Sequence, residues 1–251
     1  MNTVAVSLAV SACILAGGLA GLAFHTRLPS GHRSQGTQDV VRLGAGMLSV
    51  LASLVLGLLI ATAKSSHDGT DTAMRSYAAE LLLLDETFRD YGDRAEAPRT
   101  LLHGFTRRLL HDYWPDGAEA GTVQAGRLLE QVREATRALD PADAGQTWLR
   151  DQALSINLGL LRQRWLLIEH AGPGVQPLVL AILVVWITFI FATFGLNAPR
   201  NATVVASFVI CALAIGGSIF MILEMDNPLG GYMKISSWPI ANALAVMTAP
   251  P

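Results

Sequence analysis

Four apolar stretches, Val4–Phe24, Leu43–Ala63, Gln176–Leu196 and Ala202–Leu223, contain no Asp, Glu, Lys, Arg or His. Each has the length, about 20 residues, that an α-helix needs to cross a bilayer's hydrocarbon core. Only a helix or a closed barrel satisfies its backbone there, and these runs do not alternate as barrel strands do. The pattern therefore predicts an all-α protein with four transmembrane helices, two on either side of a charged middle. Four segments follow: a transmembrane hairpin at 1–64, a helical extramembrane module at 65–173, a second hairpin at 174–224 and a C-terminal tail at 225–251.

Between the first two spans, His25–Val41 reads as a polar loop with Pro29, Gly31 and Gly36. Lys64–Asp68 closes the second span, with Lys64 placed to snorkel toward the headgroups. The middle reads as four helices. Met74, Tyr77, Leu81, Leu84, Phe88 and Tyr91 form one apolar stripe on a helix that stops at Gly92. A second helix opens at Ala97–Pro98 and stops at Trp114–Gly117. A third carries Leu128, Leu129, Val132 and Leu139. Asp140–Pro141 is expected to start a long fourth helix, Asp as cap and Pro at the first position. That helix has two apolar stripes, one through Ala153, Ile156 and Leu160, the other through Leu158, Leu161 and Trp165. It should be sandwiched or pack against a neighbouring subunit. Gly172–Pro173–Gly174 ends it, Asn197–Asn201 is a tight turn joining the last two spans, and the tail ends in a short apolar helix through Met247.

Composition supports this reading. Hydrophobic residues make up 51% of the chain, and mean hydropathy is +0.40. Of 18 Lys and Arg, 13 lie between Lys64 and His170, as do 17 of 20 Asp and Glu. Charge is excluded from the spans and collected in one water-facing module. Its balance gives no one-sided positive surface for nucleic acid. Cys13 and Cys211 both fall inside spans and read as small hydrophobes. Gly17, Gly18 and Gly21 suit close helix packing in lipid.

No phosphate loop, dinucleotide glycine pattern or Cys/His metal spacing occurs, so neither catalysis nor a cofactor is expected. His103 and His111 are eight residues apart and are expected on a wet face. Asp85, Glu86 and Asp90 share a helix, but adjacent residues point apart, so they read as a solvated face or ion-pair partners. Charge-free spans weaken a proton-coupled transporter and leave a passive pore open, because hydrophobic constrictions can gate by dewetting. Leu48, Leu51, Val55, Leu58 and Thr62 share one face of the second span, either as ordinary packing or as a hydrophobic neck. Glu224 and Asp226, just past the fourth span, could line a vestibule or hold a cation, or simply cap a helix end.

Three stretches resemble the bacterial bestrophin-like domain family. One is Leu56–Ser66 with the Ala79–Asp85 run. The second is Phe194–Thr203. The third is Leu223–Ser236, containing Glu224, Asp226, Asn227, Pro228 and Gly230, with Asp226–Gly231 forming an acidic-x-Pro-x-x-Gly pattern. The family takes its name from bestrophins, which are homopentameric anion channels with a two-plus-two span order and pore-lining second spans. The resemblance thus implies a homo-oligomer, a pentamer by analogy, in a bacterial inner membrane, with the module cytoplasmic. Arg27, Arg33, Arg42 and Arg200 in the opposite loops pull the other way, and Lys64, Arg75, Arg162, Arg164 and Lys234 roughly cancel them. The second span lacks the aromatic residues of a bestrophin neck, and the tail lacks the run of acids of a calcium clasp. A passive anion pore is the leading expectation. The alternative is a non-catalytic scaffold or accessory subunit bound to a membrane-protein partner.

Overall fold

A computed structural model of the chain describes residues 2–24, 35–114, 121–170, 177–228 and 230–249. These residues form helices and contain no strand: α1 Thr3–Phe24, α2 Gln35–Tyr91, α3 Glu96–Tyr113, α4 Gly121–Arg137, α5 Ala144–His170, α6 Pro177–Asn197, α7 Ala202–Met225 and α8 Trp238–Thr248. A single 3₁₀ turn, Asp93–Ala95, precedes α3. Four helices are long and apolar enough to cross a membrane: α1, α2, α6 and α7.

Three boundaries differ from the sequence expectation. The expected polar loop is helical from Gln35 onward, and α2 continues through Lys64–Asp68 to Tyr91 without a break. That polar stretch contains Gly69 but no proline. A glycine costs a helix about 1 kcal/mol, whereas proline both removes a donor and clashes. The long fourth helix of the middle starts at Ala144, not at Pro141. Its cap is Asp143, whose Oδ1 accepts from the Gln146 amide at 2.8 Å, while Gln146 Oε1 accepts from the Ala142 amide at 2.8 Å. Finally, α7 runs two residues past Leu223, which brings Glu224 into its last turn. The breakers at residues 115–117 and 172–174 lie outside the described residues.

The chain divides into two compact units, Met1–His67 with Pro173–Met233, and Asp68–Gly172 with Lys234–Pro251. The tail is therefore shared between them, its first residues going to the one and α8 to the other.

In the first unit α1 packs against both α6 and α7. Its glycines make this possible. A Cβ on Gly17 would lie 2.7 Å from Thr188 Cγ2 of α6, and one on Gly18 would lie 2.9 Å from the Phe208 ring of α7. Gly21 faces the Ala192 carbonyl of α6, and Gly195 of α6 faces Gly18 in return. Lipid is as apolar as leucine, so such helices associate through close van der Waals contact rather than through hydrophobic transfer. Ile14, Leu183, Ile187 and Ile219 fill the resulting core. The Phe191 and Phe208 rings meet there at 5.7 Å. Hydroxyls inside the spans return to their own helices, among them Ser11, which donates to Ser7 O, Ser49 to Ala45 O, Thr62 to Leu58 O and Thr193 to Phe189 O. Each of these is satisfied without a partner from elsewhere, as hydrocarbon requires. Thr3, in the first turn of α1, donates to Glu224 instead.

The second unit is built on the stripe from Met74 to Tyr91, all six residues of which are buried. Leu102 and Phe105 of α3, Leu129 and Val132 of α4 and Leu160 of α5 complete its interior. Here water supplies the driving force, and each large apolar side chain contributes roughly 1.5–3 kcal/mol. A half-buried acid beside this interior is Glu80, whose carboxyl accepts from Gln163 Nε2 at 2.6 Å. Burial pushes its pKa above the ordinary carboxylate range, and the Gln163 hydrogen bond partly opposes this. Helix α8 buries Pro239, Ile240, Ala243 and Met247, and it packs on α3. The Trp114 indole donates to Ile235 O at 2.9 Å just ahead of it. On α5, Ala153 and Leu160 are buried, whereas Trp148, Leu158 and Trp165 are exposed. Among the described residues, the second of the two stripes is thus partly uncovered, with Leu161 half-buried between Leu158 and Trp165.

The glycine contacts make a direct prediction. Gly21→Val should lower stability by about 1–3 kcal/mol, the usual cost of overpacking. Gly217→Ala, on α7 with open space around it, should unfold at or above the wild-type temperature. Thermal unfolding in one detergent compares the two, and equal midpoints would contradict the close approach of α1 to α6.

Candidate functional site

The five face residues of the second span do not share one environment. Leu48 and Val55 pack against the core of the first unit. Leu51 and Leu58 are 51% and 66% exposed, and Thr62 is exposed with its hydroxyl committed to Leu58 O. The open stripe lies slightly further round, through Leu43, Met47, Val50, Leu54 and Leu58. A shallow cleft at its start is lined by Asp39, Arg42, Leu43, Gly46, Met47 and Val50. Of the four spans, α2 is the least covered by its own chain. Only 11% of its apolar window is buried, against 39%, 33% and 28% for α1, α6 and α7.

The motif after the fourth span folds into a tight clasp around Glu224, which is 1% exposed. Asp226 caps α7, its amide donating to Ile222 O at 3.0 Å. Asn227 N donates to Glu224 O, Asn227 O accepts from Gly230 N at 3.1 Å, and Pro228 is buried beneath the turn. A Cβ on Gly230 would lie 2.7 Å from Asn227 Nδ2, the end of an exposed side chain. Gly231 has φ +74°, a left-handed conformation that costs other residues strain. These features turn the chain back so that the Tyr232 and Met233 amides donate to Glu224 Oε2 at 2.5 and 3.3 Å. The other oxygen, Oε1, accepts from Thr3 Oγ1 at 2.5 Å. The Glu224 carboxylate is thus fully engaged by three donors. Lys64 is exposed.

Arg200 has a matching role that charge counting misses. Its Nε and Nη2 donate to Leu22 O at 3.1 and 2.8 Å, and Nη2 also donates to Ala23 O at 3.0 Å. Thr3 and Leu22 lie in the first and last turns of α1. The anion therefore sits at the amino end of α1 and the cation at its carboxyl end, the arrangement its dipole favours. Two of the three recognised stretches, around Arg200 and Glu224, hold the two ends of one span. Among the described residues, no group of three His, Cys, Asp or Glu side chains has metal-binding geometry.

In the second unit, Asp85 is 3% exposed and gathers two arginines and a histidine. It accepts from Arg99 Nε at 2.9 Å and Nη2 at 3.4 Å, contacts His103 Nε2 at 2.7 Å and meets Arg89 Nη2 at 3.5 Å. The hydrogen bond that Arg99 donates to Asp85 holds its guanidinium above its ordinary pKa against the opposing effect of burial, with the charges of Asp85 and Glu96 adding. His103 is half-buried against Asp85, whereas His111 is 74% exposed, on the wet face expected for both. Glu86 and Asp90 are exposed.

The clasp predicts a graded response. Glu224→Ala leaves buried donors unpaired and should cost on the order of 3 kcal/mol, while Glu224→Gln, which keeps an acceptor, should cost less. Thermal unfolding in detergent ranks them. Wild-type stability for both would show that the carboxylate holds nothing.

The sequence profile of the bestrophin-like domain matches residues 12–240. No curated protein and no solved structure matches the chain significantly. The matched region takes in most of α1, all of α2 to α7, and both Arg200 and Glu224. With four membrane-crossing helices and a match over nearly its whole length, the chain is a multi-pass membrane protein that belongs to the bestrophin-like domain family.

Proposed function

We propose that copies of this chain assemble around an axis into a passive anion pore, with the open stripe of α2 facing the lumen. The supporting observation is the bareness of α2. A pore-forming helix must leave one face unclaimed by its own subunit, and α2 leaves Met47, Val50, Leu54 and Leu58 uncovered at helical spacing. An uncharged apolar lining suits a neck that gates by dewetting. Kinship with bestrophins supplies the anion preference and the ring, which are analogies of fold. By the same analogy the membrane is the bacterial inner membrane and the module lies on its cytoplasmic side.

A second reading makes the chain an accessory subunit. It draws on Trp148, Leu158 and Trp165, large apolar side chains that α5 leaves exposed. Purification in mild detergent separates the two readings: a ring of one chain favours the pore, a stoichiometric foreign protein the accessory role.

Flux through liposomes tests the pore. In a background with Cys13 and Cys211 replaced by serine, Met47→Cys or Leu54→Cys should make anion flux sensitive to a charged thiol reagent, and Leu48→Cys should not. Absence of flux under all conditions, or equal block at Leu48, would contradict the assignment. A cysteine at the exposed Arg127 should resist the impermeant reagent in intact cells. Labelling there would put the module outside.

A further inference from the structure

We propose that the helical module binds an oxyanion, a phosphate or a phosphate monoester, in a cleft where Arg89 of α2, Arg99 and His103 of α3 and the carboxyl end of α8 meet. The cleft encloses about 350 Å³, at the small end of the range for small-molecule sites. Two acceptors beside it, Asp85 and the Met247 carbonyl, are already matched. Asp85 at its edge is engaged by Arg99, His103 and Arg89. The Met247 carbonyl accepts from Arg99 Nη2 at 3.2 Å. The Thr248 hydroxyl is turned back onto Leu244 O at 2.8 Å.

Its donors are not used up. A guanidinium offers five N–H groups, and a neutral imidazole one N–H and one acceptor nitrogen. Arg99 uses Nε and Nη2, His103 uses Nε2, and Arg89 touches Asp85 only at 3.5 Å, the outer limit of a hydrogen bond. Two guanidinium charges face one carboxylate, and the Arg89 side chain is 47% exposed. Glu96 also acts on Arg99, but it is exposed, where water screens it. Spare planar donors beside excess positive charge select a ligand with several acceptor oxygens, which guanidinium holds bidentately.

Calorimetric titration of the full chain in detergent with inorganic phosphate, at ionic strength fixed by chloride, tests this independently of any conduction. The expected result is saturable binding with Kd below about 1 mM, weakened at least tenfold by Arg89→Gln and by His103→Gln. Arg150→Gln, a substitution elsewhere on the module, should bind as wild type. If a lipid headgroup is the source, phosphate in micelles stays silent, and Arg89-dependent binding appears only with nanodiscs containing phosphatidic acid. Failure of both ligands to bind, or binding indifferent to Arg89 and His103, would overturn the site.

Discussion

In hydrocarbon, a polar group that finds no partner within the protein finds none at all, and the membrane unit of this chain is organised around that constraint. It explains why the span hydroxyls bond back to their own helices, and why both ends of α1 are held by charge. The first-turn Thr3 reaches the Glu224 carboxylate, and the last carbonyls of α1 receive Arg200. Between these ends, glycines let α1 lie against α6 and α7 closely enough for dispersion to hold them together. Charge fixes the ends of the helix and small residues fix its middle.

The family's recognisable motifs thus serve architecture. The acid, proline and glycines after the fourth span are needed to form a turn whose amides return to one carboxylate. Any ion pathway is to be sought instead on α2, the helix the bundle covers least. The helical module follows a different solvent's rules, with an apolar interior led by the stripe from Met74 to Tyr91 and a buried carboxylate that gathers two arginines and a histidine.

Much of this was legible in the sequence, for physical reasons that also mark where legibility stops. The stripe from Met74 to Tyr91 could be read because water covers its opposite side, so polarity alternates at the helical period. The glycines of α1 could be read because lipid gives few other reasons for three in five residues. The face of α2 could not be placed, since a span apolar on all sides has no stripe. The sequence expectation therefore grouped Leu48 and Val55, which pack inward, with Leu51 and Leu58, which do not. The continuity of α2 through Lys64–Asp68 was hidden by polar residues that favour, but do not enforce, a break. The roles of Glu224 and Arg200 were out of reach because their partners lie 221 and 178 residues away. Asp85 could be read as an ion-pair partner, but its link to His103, 18 residues on, could not.

The central claim is that the bare stripe of α2 faces a lumen shared between copies. A structure of the purified assembly in a lipid nanodisc tests it most directly. The account predicts a closed ring with Met47, Val50, Leu54 and Leu58 pointing at the symmetry axis. Density showing that stripe against acyl chains, or against a different protein, would contradict it.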